Sequence, residues 1–287
     1  MGALACRRHQ HDRDGHLRVI RRRYANGKFG QVHLRENDRI GGPPLVCLHA
    51  TAYSSRSFER LLEALDGRRH CIALDTPGYG ASDSPPKQIA IADYADALAT
   101  SVAGEAGPVD LLGYHTGAYI AAEMAIRHPA LVGRLVLIGI PFFQAIGFEQ
   151  WKARLTARHA LGEQLDQFDE RWDFLVANRP DGLSLRRGFE NFVDELSAWP
   201  NGWQAHEALF RWDSERQLPR VRQPVLVINP AGNLAEPSRA AAKLLPDATL
   251  VERPDLCGAV LETNAPAIAH EASAFLTEFA EATPSAA

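Results

Sequence analysis

The 287-residue sequence predicts an α/β fold with a mostly parallel, doubly wound sheet and an inserted helical region. Three observations predict it. Short apolar runs alternate with helical patterns up to residue 140. A glycine-framed turn, Gly113-Tyr114-His115-Thr116-Gly117, joins one apolar run to a helix. The alternation then stops, and residues 141–222 show helical spacing with many aromatic side chains. Alternating strands and helices favour parallel strands joined by right-handed crossovers.

The predicted elements begin with a hairpin in which residues 19–24 and 29–35 flank Asn26-Gly27, a pair typical of hairpin turns. Continuous apolar runs follow, as expected for strands covered on both faces. The predicted strands are residues 44–49, 71–75, 109–112, 135–140, 224–229 and 249–252. The predicted helices are residues 58–65, 91–102, 118–128 and 268–279.

The turn at residues 113–117 has the frame of a nucleophile elbow. In such a turn the central residue, here His115, lies on a sharp strand-to-helix bend with its side chain exposed above the sheet. Gly113 and Gly117 stand two residues before and after it, where strand and helix approach too closely for a Cβ atom. A second motif, residues 75–82, reads Asp-Thr-Pro-Gly-Tyr-Gly-Ala-Ser.

These motifs, in this order, resemble the α/β-hydrolase fold superfamily, in its form with a helical cap. The second motif is similar to the Asp-x-Pro-Gly-x-Gly-x-Ser turn of such hydrolases, and the family inserts its cap after the strand that follows the elbow. The resemblance covers the chain from about residue 19 onward. It implies a core of residues 19–140 and 223–282 and a helical cap of residues 141–222. The N-terminal residues are rich in Arg and His and lack an apolar core, so we expect residues 1–18 to form a disordered tail.

The resemblance also implies three catalytic positions, and all three depart from the family pattern. His115 replaces the usual serine at the elbow. The acid position falls on Asn233, four residues before a proline. The histidine position falls on Gly258, or on Cys257 if the loop differs by one residue. Without the hydroxyl, the second imidazole and the carboxylate, acyl-enzyme chemistry cannot run at this elbow, so we do not expect a serine esterase.

Three interpretations of these positions remain open. In the first, His115 is a general acid or base, its tautomer set by Asn233, acting on a small apolar carbonyl or ester-like compound. Hydrolysis and a lyase or isomerase reaction both fit this chemistry. In the second, the site is inactive and the protein binds a ligand as a pseudoenzyme. In the third, Cys257 is a nucleophile, His115 its base and Asn233 the orienting residue.

Supporting residues are expected around the elbow. The backbone N–H groups of Ala50 and Thr116 are the candidate oxyanion donors, since neither depends on the identity of a side chain. The substrate pocket is expected to include four further residues: His49, Thr51, Tyr53 and Tyr114. The default interpretation of His49 is a local hydrogen bond that shapes its loop.

Composition narrows the class of protein. A net charge of −4 gives no electrostatic case for nucleic acid, and no apolar stretch is long enough to span a membrane. The four cysteines show no paired spacing, so we expect a reducing cytoplasm. His9, His11 and His16 lie in the tail without a second ligand set, and we expect no metal and no cofactor. The expected partner is a small-molecule substrate; the sequence leaves open whether the protein is a homodimer.

Overall fold

The computed structural model describes residues 20–105, 107–142, 148–156 and 162–278. The predicted disordered tail and its three histidines lie outside them. The described strands are β1 (Arg21–Gly27), β2 (Gly30–Glu36), β3 (Leu45–Leu48), β4 (Cys71–Leu74), β5 (Val109–Tyr114), β6 (Val132–Ile138), β7 (Val225–Pro230) and β8 (Ala248–Arg253). They form one eight-stranded sheet in the order β1-β2-β4-β3-β5-β6-β7-β8.

The pairing in this sheet confirms the predicted fold class. The hairpin strand β2 pairs antiparallel with β1 and with β4, and β4, β3, β5, β6, β7 and β8 pair in parallel. The helices are α1 (Glu59–Leu65), α2 (Ile91–Val102), α3 (Thr116–Arg127), α4 (Phe148–Leu155), α5 (Asp169–Trp172), α6 (Leu185–Ser197), α7 (Gln204–Arg211), α8 (Ser214–Gln217), α9 (Ala235–Ala242), α10 (Val260–Thr263) and α11 (Ala265–Glu278).

One detail of the hairpin prediction is wrong. The turn lies at Lys28 and Phe29, two residues after the predicted Asn26-Gly27, because Gly27 pairs with Gly30. The cause is a tertiary contact. A Cβ on Gly30 would lie 2.3 Å from the Asp83 carboxylate, which accepts a hydrogen bond from the Gln31 N–H at 2.7 Å. The loop that carries Asp83 therefore fits against glycine and fixes the register.

Two apolar layers cover the sheet. On one face, alternate strand residues such as Val46 and Leu48 pack with α2, α3 and α9. On the other face, Cys47 and Cys71 pack with α1, α10 and α11, and both are fully buried free thiols. Successive side chains of a strand point to opposite faces, so a run that is apolar throughout must be covered twice. The predicted double winding follows from this.

Helices α4 to α8 lie between β6 and β7 and form the cap. A small apolar cluster of Leu175, Val176 and Phe192 holds part of it together, and the ring of Phe192 makes edge contacts with Phe168 and Trp172. The boundaries at residues 141 and 222 stay a prediction. None of the helices in the described ranges is long and apolar enough to cross a membrane.

Candidate active site

The elbow places His115 between β5 and α3 in a strained backbone conformation. Its φ is 55° and its ψ is −116°, and no other non-glycine residue in the described ranges has a positive φ. Its N–H donates to the Ile138 carbonyl at 3.1 Å, and its carbonyl accepts from the Ala118 N–H at 3.0 Å. Backbone in such a region costs on the order of 1–3 kcal/mol and persists because its surroundings hold it.

The glycines that frame the elbow have no room for a side chain. A Cβ on Gly113 would lie 2.5 Å from the Gly117 carbonyl oxygen, and a Cβ on Gly117 would lie 2.0 Å from the Leu48 carbonyl oxygen. Strand β5, helix α3 and the end of β3 therefore meet at backbone contact distance. This contact presses the first turn of α3 against the sheet and fixes where His115 projects.

The imidazole of His115 lies next to two hydroxyl groups. Its Nδ1 shares a hydrogen bond of 3.2 Å with Thr116 Oγ1, which also accepts from Thr51 Oγ1 at 2.9 Å. Burial lowers the pKa of His115 to about 4, because a low-dielectric environment disfavours the charged imidazolium. At neutral pH the ring is therefore a free base.

A second imidazole, which the sequence analysis did not identify, faces this ring from the cap. The rings of His115 and His206 lie edge to face, with centroids 6.0 Å apart and planes at 83°. Burial, and then the neighbouring His115, lower the pKa of His206 to about 3. The available signal was a histidine among the buried positions of α7, whose other buried residues are Ala205, Ala208 and Leu209.

Contacts with the core fix the position of α7 at both ends. At its start, the Tyr79 hydroxyl accepts from the Ala205 N–H at 2.9 Å and donates to the Gly202 carbonyl at 3.0 Å. Beyond its end, Trp212 Nε1 donates to Glu123 Oε2 on α3 at 2.9 Å. These bonds hold α7 above α3, the helix that begins directly after the elbow.

The loop after β3 is held by His49 and Asp75. His49 Nδ1 bonds the Ala50 carbonyl at 2.8 Å and Nε2 accepts from the Thr76 N–H at 2.9 Å, so both ring nitrogens are used and neither is free for a substrate. Asp75 accepts from the Ser55 N–H at 2.6 Å. Burial opposes its charge, but hydrogen bonds from His33 and the loop keep its pKa below the usual range.

The candidate oxyanion donors lie in two segments. Ala50 is in the loop after β3, and Thr116 is the first residue of α3. Ala50 and Thr116 are both buried, and the bond between the Thr51 and Thr116 hydroxyls ties the loop after β3 to the first residue of α3. This bond joins the two segments that carry the candidate donors Ala50 and Thr116. Their function as an oxyanion hole stays a prediction.

Tyr53 and Tyr114 pack in different apolar clusters. Tyr53 packs against the cap cluster. Tyr114, at the end of β5, packs against the layer that contains α1, α10 and α11, and its ring would lie 3.4 Å from a Cβ placed on Gly139. Burial raises the pKa of both phenols, and the two interact electrostatically. Their predicted contact with a substrate is not tested by these observations.

The structure does not bring the other two predicted positions to His115. Asn233, in the loop after β7, and Cys257, in the loop after β8, are exposed, and within the described residues neither forms a hydrogen bond with the imidazole. Gly258 is also exposed, with φ at +67°. The expected Asn233–His115 bond is therefore not formed, and the imidazole faces the cap instead. Among the described residues, no three or more His, Cys, Asp and Glu side chains could hold a metal ion.

The segment after β8 contacts the cap through an ion cluster. Arg187 on α6 pairs with Glu262 at 3.0 Å and with Glu59 at 2.8 Å. Burial raises the pKa of Glu262 to about 7, although Arg187 opposes the shift. In the family resemblance, the loop after β8 carries the catalytic histidine. In this chain that loop is followed by Glu262, which pairs with Arg187 of the cap.

Comparison with known proteins agrees with this architecture. A family model described as alpha/beta hydrolase fold matches residues 43–257. Pyrrolizixenacetamide deacetylase of Xenorhabdus hominickii is 27% identical over 212 residues, which cover 71% of this chain and 79% of the relative. Pimeloyl-[acyl-carrier protein] methyl ester esterase of Chromobacterium violaceum is 30% identical over 244 residues, or 80% and 90% of the two chains.

A solved structure supports the fold. The esterase of Thermogutta terrifontis superposes with a TM-score of 0.73 at 20% identity and covers 90% of this chain and 98% of its own. At that identity the likeness concerns the fold alone. The family model spans most of the chain, and the two relatives described above are a deacetylase and an esterase. The chain therefore belongs to the α/β-hydrolase fold family of enzymes.

Proposed function

We propose that the protein is a cofactor-independent hydrolase of a small, largely apolar ester or amide, in which His115 is the general base for direct attack by water. The observation that carries this proposal is the imidazole at the strained elbow, neutral at neutral pH and covered by the cap. An elbow positions its central side chain beside the bond that reacts. Here that side chain can accept a proton.

The chemistry follows from where the groups lie. A water molecule beside His115 gives a proton to the ring as its oxygen bonds to the substrate carbonyl carbon. The N–H groups of Ala50 and Thr116 then stabilise the negative charge on the former carbonyl oxygen. No covalent acyl-enzyme is formed, which agrees with the absence of a serine at position 115.

The low pKa of His115 restricts the substrate class. A base is most effective when its pKa is close to the working pH, so an imidazole with a pKa of about 4 removes a proton only weakly at neutral pH. Such a base suits a substrate with a good leaving group, whose carbonyl carbon is already electrophilic. The named relatives act on an acetamide and on a methyl ester, which favours hydrolysis over a lyase or isomerase reaction.

The test is hydrolysis of p-nitrophenyl and phenyl esters of short acids by wild type and His115→Gln. We expect kcat/KM to fall roughly 10²-fold or more in the variant with the fold retained by circular dichroism. His128→Gln is the matched control. His128 is partly exposed, and its Nε2 lies 2.9 Å from Asp96 Oδ1. Full activity in His115→Gln would exclude His115 as the base.

A ligand-binding pseudoenzyme is the second candidate. It is favoured by one observation, the exposure of Asn233, Cys257 and Gly258, which leaves the family's acid and histidine positions without a partner for the elbow. Wild type would then show no turnover above buffer, and the same esters would bind with equal affinity to wild type and to His115→Gln. A thiol hydrolase is disfavoured because Cys257 is exposed and, within the described residues, forms no hydrogen bond with His115.

A further inference from the structure

We propose that His206, carried by cap helix α7, is the second acid–base residue of this site, so that the reaction uses one imidazole from the core and one from the cap. The inference rests on the proposed function and goes beyond it. The family resemblance assigns the histidine position to the loop after β8, and the sequence there has no histidine.

An imidazole on the buried side of α7 costs free energy. His206 is 8% exposed and lies on the inward side of α7 with Ala205, Ala208 and Leu209. A polar group buried without full compensation costs free energy, so an apolar residue would serve packing better. The anchoring of α7 does not need the ring, because Tyr79 and Trp212 already bond the helix ends to the core.

The two imidazoles are neighbours, with ring centroids 6.0 Å apart and planes at 83°. In this proposal the reacting oxygen atom lies at hydrogen-bond distance from one nitrogen of each ring. On the side of α4, the Leu155 backbone carbonyl hydrogen-bonds the His206 ring. A neutral imidazole with one nitrogen donating has its other nitrogen as an acceptor.

Two charged or titratable groups of the described residues act on His206, namely His115 at the elbow and Arg171 on α5. Burial lowers the pKa of His206 most, and each of these two groups lowers it further. Arg171 itself pairs with Glu195 on α6, with Nη2 to Oε2 at 2.7 Å. A proton on either imidazole therefore disfavours a proton on the other, and in this proposal the two rings carry a single proton between them only during the reaction. Hydrolysis transfers one proton.

One proton passes from water to the leaving group. His115 takes a proton from water while the water oxygen bonds to the carbonyl carbon, and the carbonyl electron pair moves onto oxygen. As the tetrahedral intermediate collapses, the C–O or C–N bond breaks and the leaving group receives that proton by way of His206. The products are an acid and an alcohol or amine, and both imidazoles return to the neutral form.

The experiment compares His206→Gln, His206→Phe and His206→Ala with His115→Gln and the His128→Gln control. We expect kcat to fall roughly 10²-fold in each His206 variant with KM changed less than threefold. Free imidazole should restore part of the kcat of His206→Ala, which a purely structural residue would not allow. The pKa of His206, followed by NMR, should rise in His115→Gln because its neighbouring ring is gone.

The outcomes separate the inference from the proposed function. If His115→Gln is inactive while the His206 variants match wild type, the inference is wrong and the proposed function stands. Loss of activity in His206→Ala without imidazole rescue, together with a raised KM, would make His206 a packing residue and also overturn the inference. If His115→Gln retains full activity, or wild type shows no turnover, the proposed function itself fails and the inference fails with it.

Discussion

The carboxyl end of β5 and the carboxyl ends of β7 and β8 supply the three catalytic positions of the family resemblance, and they differ sharply here. At β5 the whole elbow is present, with its positive φ and both framing glycines, although its central residue is His115. At β7 and β8 the corresponding residues, Asn233 and Gly258, are exposed, and within the described residues the Asn233 side chain forms no hydrogen bond with the His115 imidazole. One region has kept its backbone geometry and the other has lost its partner side chains.

The difference shows which features depend on packing. The elbow is set by backbone-to-backbone distances among β3, β5 and α3, so a change of its central side chain leaves it intact. The loops after β7 and β8 contribute to such a site only through side chains. Their replacement leaves the sheet unaffected, and the imidazole that faces His115 comes instead from the cap residue His206.

The largest effect should come from filling the elbow frame. Gly117→Ala places a Cβ 2.0 Å from the Leu48 carbonyl oxygen. Because this oxygen belongs to the backbone, only a shift of α3 or β3 can relieve the clash. We expect a loss of about 3 kcal/mol or more in the free energy of unfolding, measured with urea. Gly104→Ala is the control, because nothing lies within 4 Å of a Cβ there. Equal stability of the two variants would show that the elbow is loosely packed.

The segment after β8, which carries Glu262, should instead make the free energy of unfolding depend on pH. The pKa of Glu262 is about 7 in the folded protein, above its ordinary 4.5. The folded state therefore binds a proton that the unfolded state has released, so this contribution is fully present below about pH 4.5 and is lost as pH rises through about 7. Relative to Glu262→Gln, wild type should lose up to about 3 kcal/mol over that range.

The control for this measurement is Glu236→Gln, whose side chain is 84% exposed. We expect its stability difference from wild type to be small at every pH. If wild type and Glu262→Gln keep the same difference from pH 4.5 to 8, the ion cluster with Arg187 holds Glu262 charged, and the segment after β8 does not respond to pH.

The sequence was sufficient to predict the fold and the elbow for physical reasons. Strands buried on both faces are apolar throughout, and residues 113–117 need glycines wherever strand and helix touch, so both leave a local signal. For His206 the local signal was only a histidine among the buried positions of α7. Its place opposite the elbow was not readable, because it depends on the bond between Ala205 and Tyr79, which are 126 residues apart. The hairpin turn was misplaced for the same reason, since Asp83 is far from Gly30 in sequence.

Backbone strain at the elbow should reverse the usual order of stability between a glycine and an alanine variant. Glycine at most positions is less stable than alanine by roughly 0.5–1 kcal/mol, because it loses more backbone entropy on folding. At His115, with φ of 55°, only glycine relieves the strain. We therefore expect His115→Gly to exceed His115→Ala in the free energy of unfolding by about 1 kcal/mol. At His128, where φ is −123°, the order should be the usual one.

The smallest effects should come from Asn233 and Cys257, the positions that the resemblance marks as the acid and as the alternative histidine position. Asn233 and Cys257 are exposed and have no bond to His115, so Asn233→Ala and Cys257→Ser remove no contact that the site uses. We expect kcat/KM within twofold of wild type and stability within about 0.5 kcal/mol. Thiol labelling of Cys257 should leave activity unchanged. A loss of activity in Asn233→Ala larger than in His206→Gln would reverse the comparison, because the loop after β7 would then contribute more to catalysis than the cap.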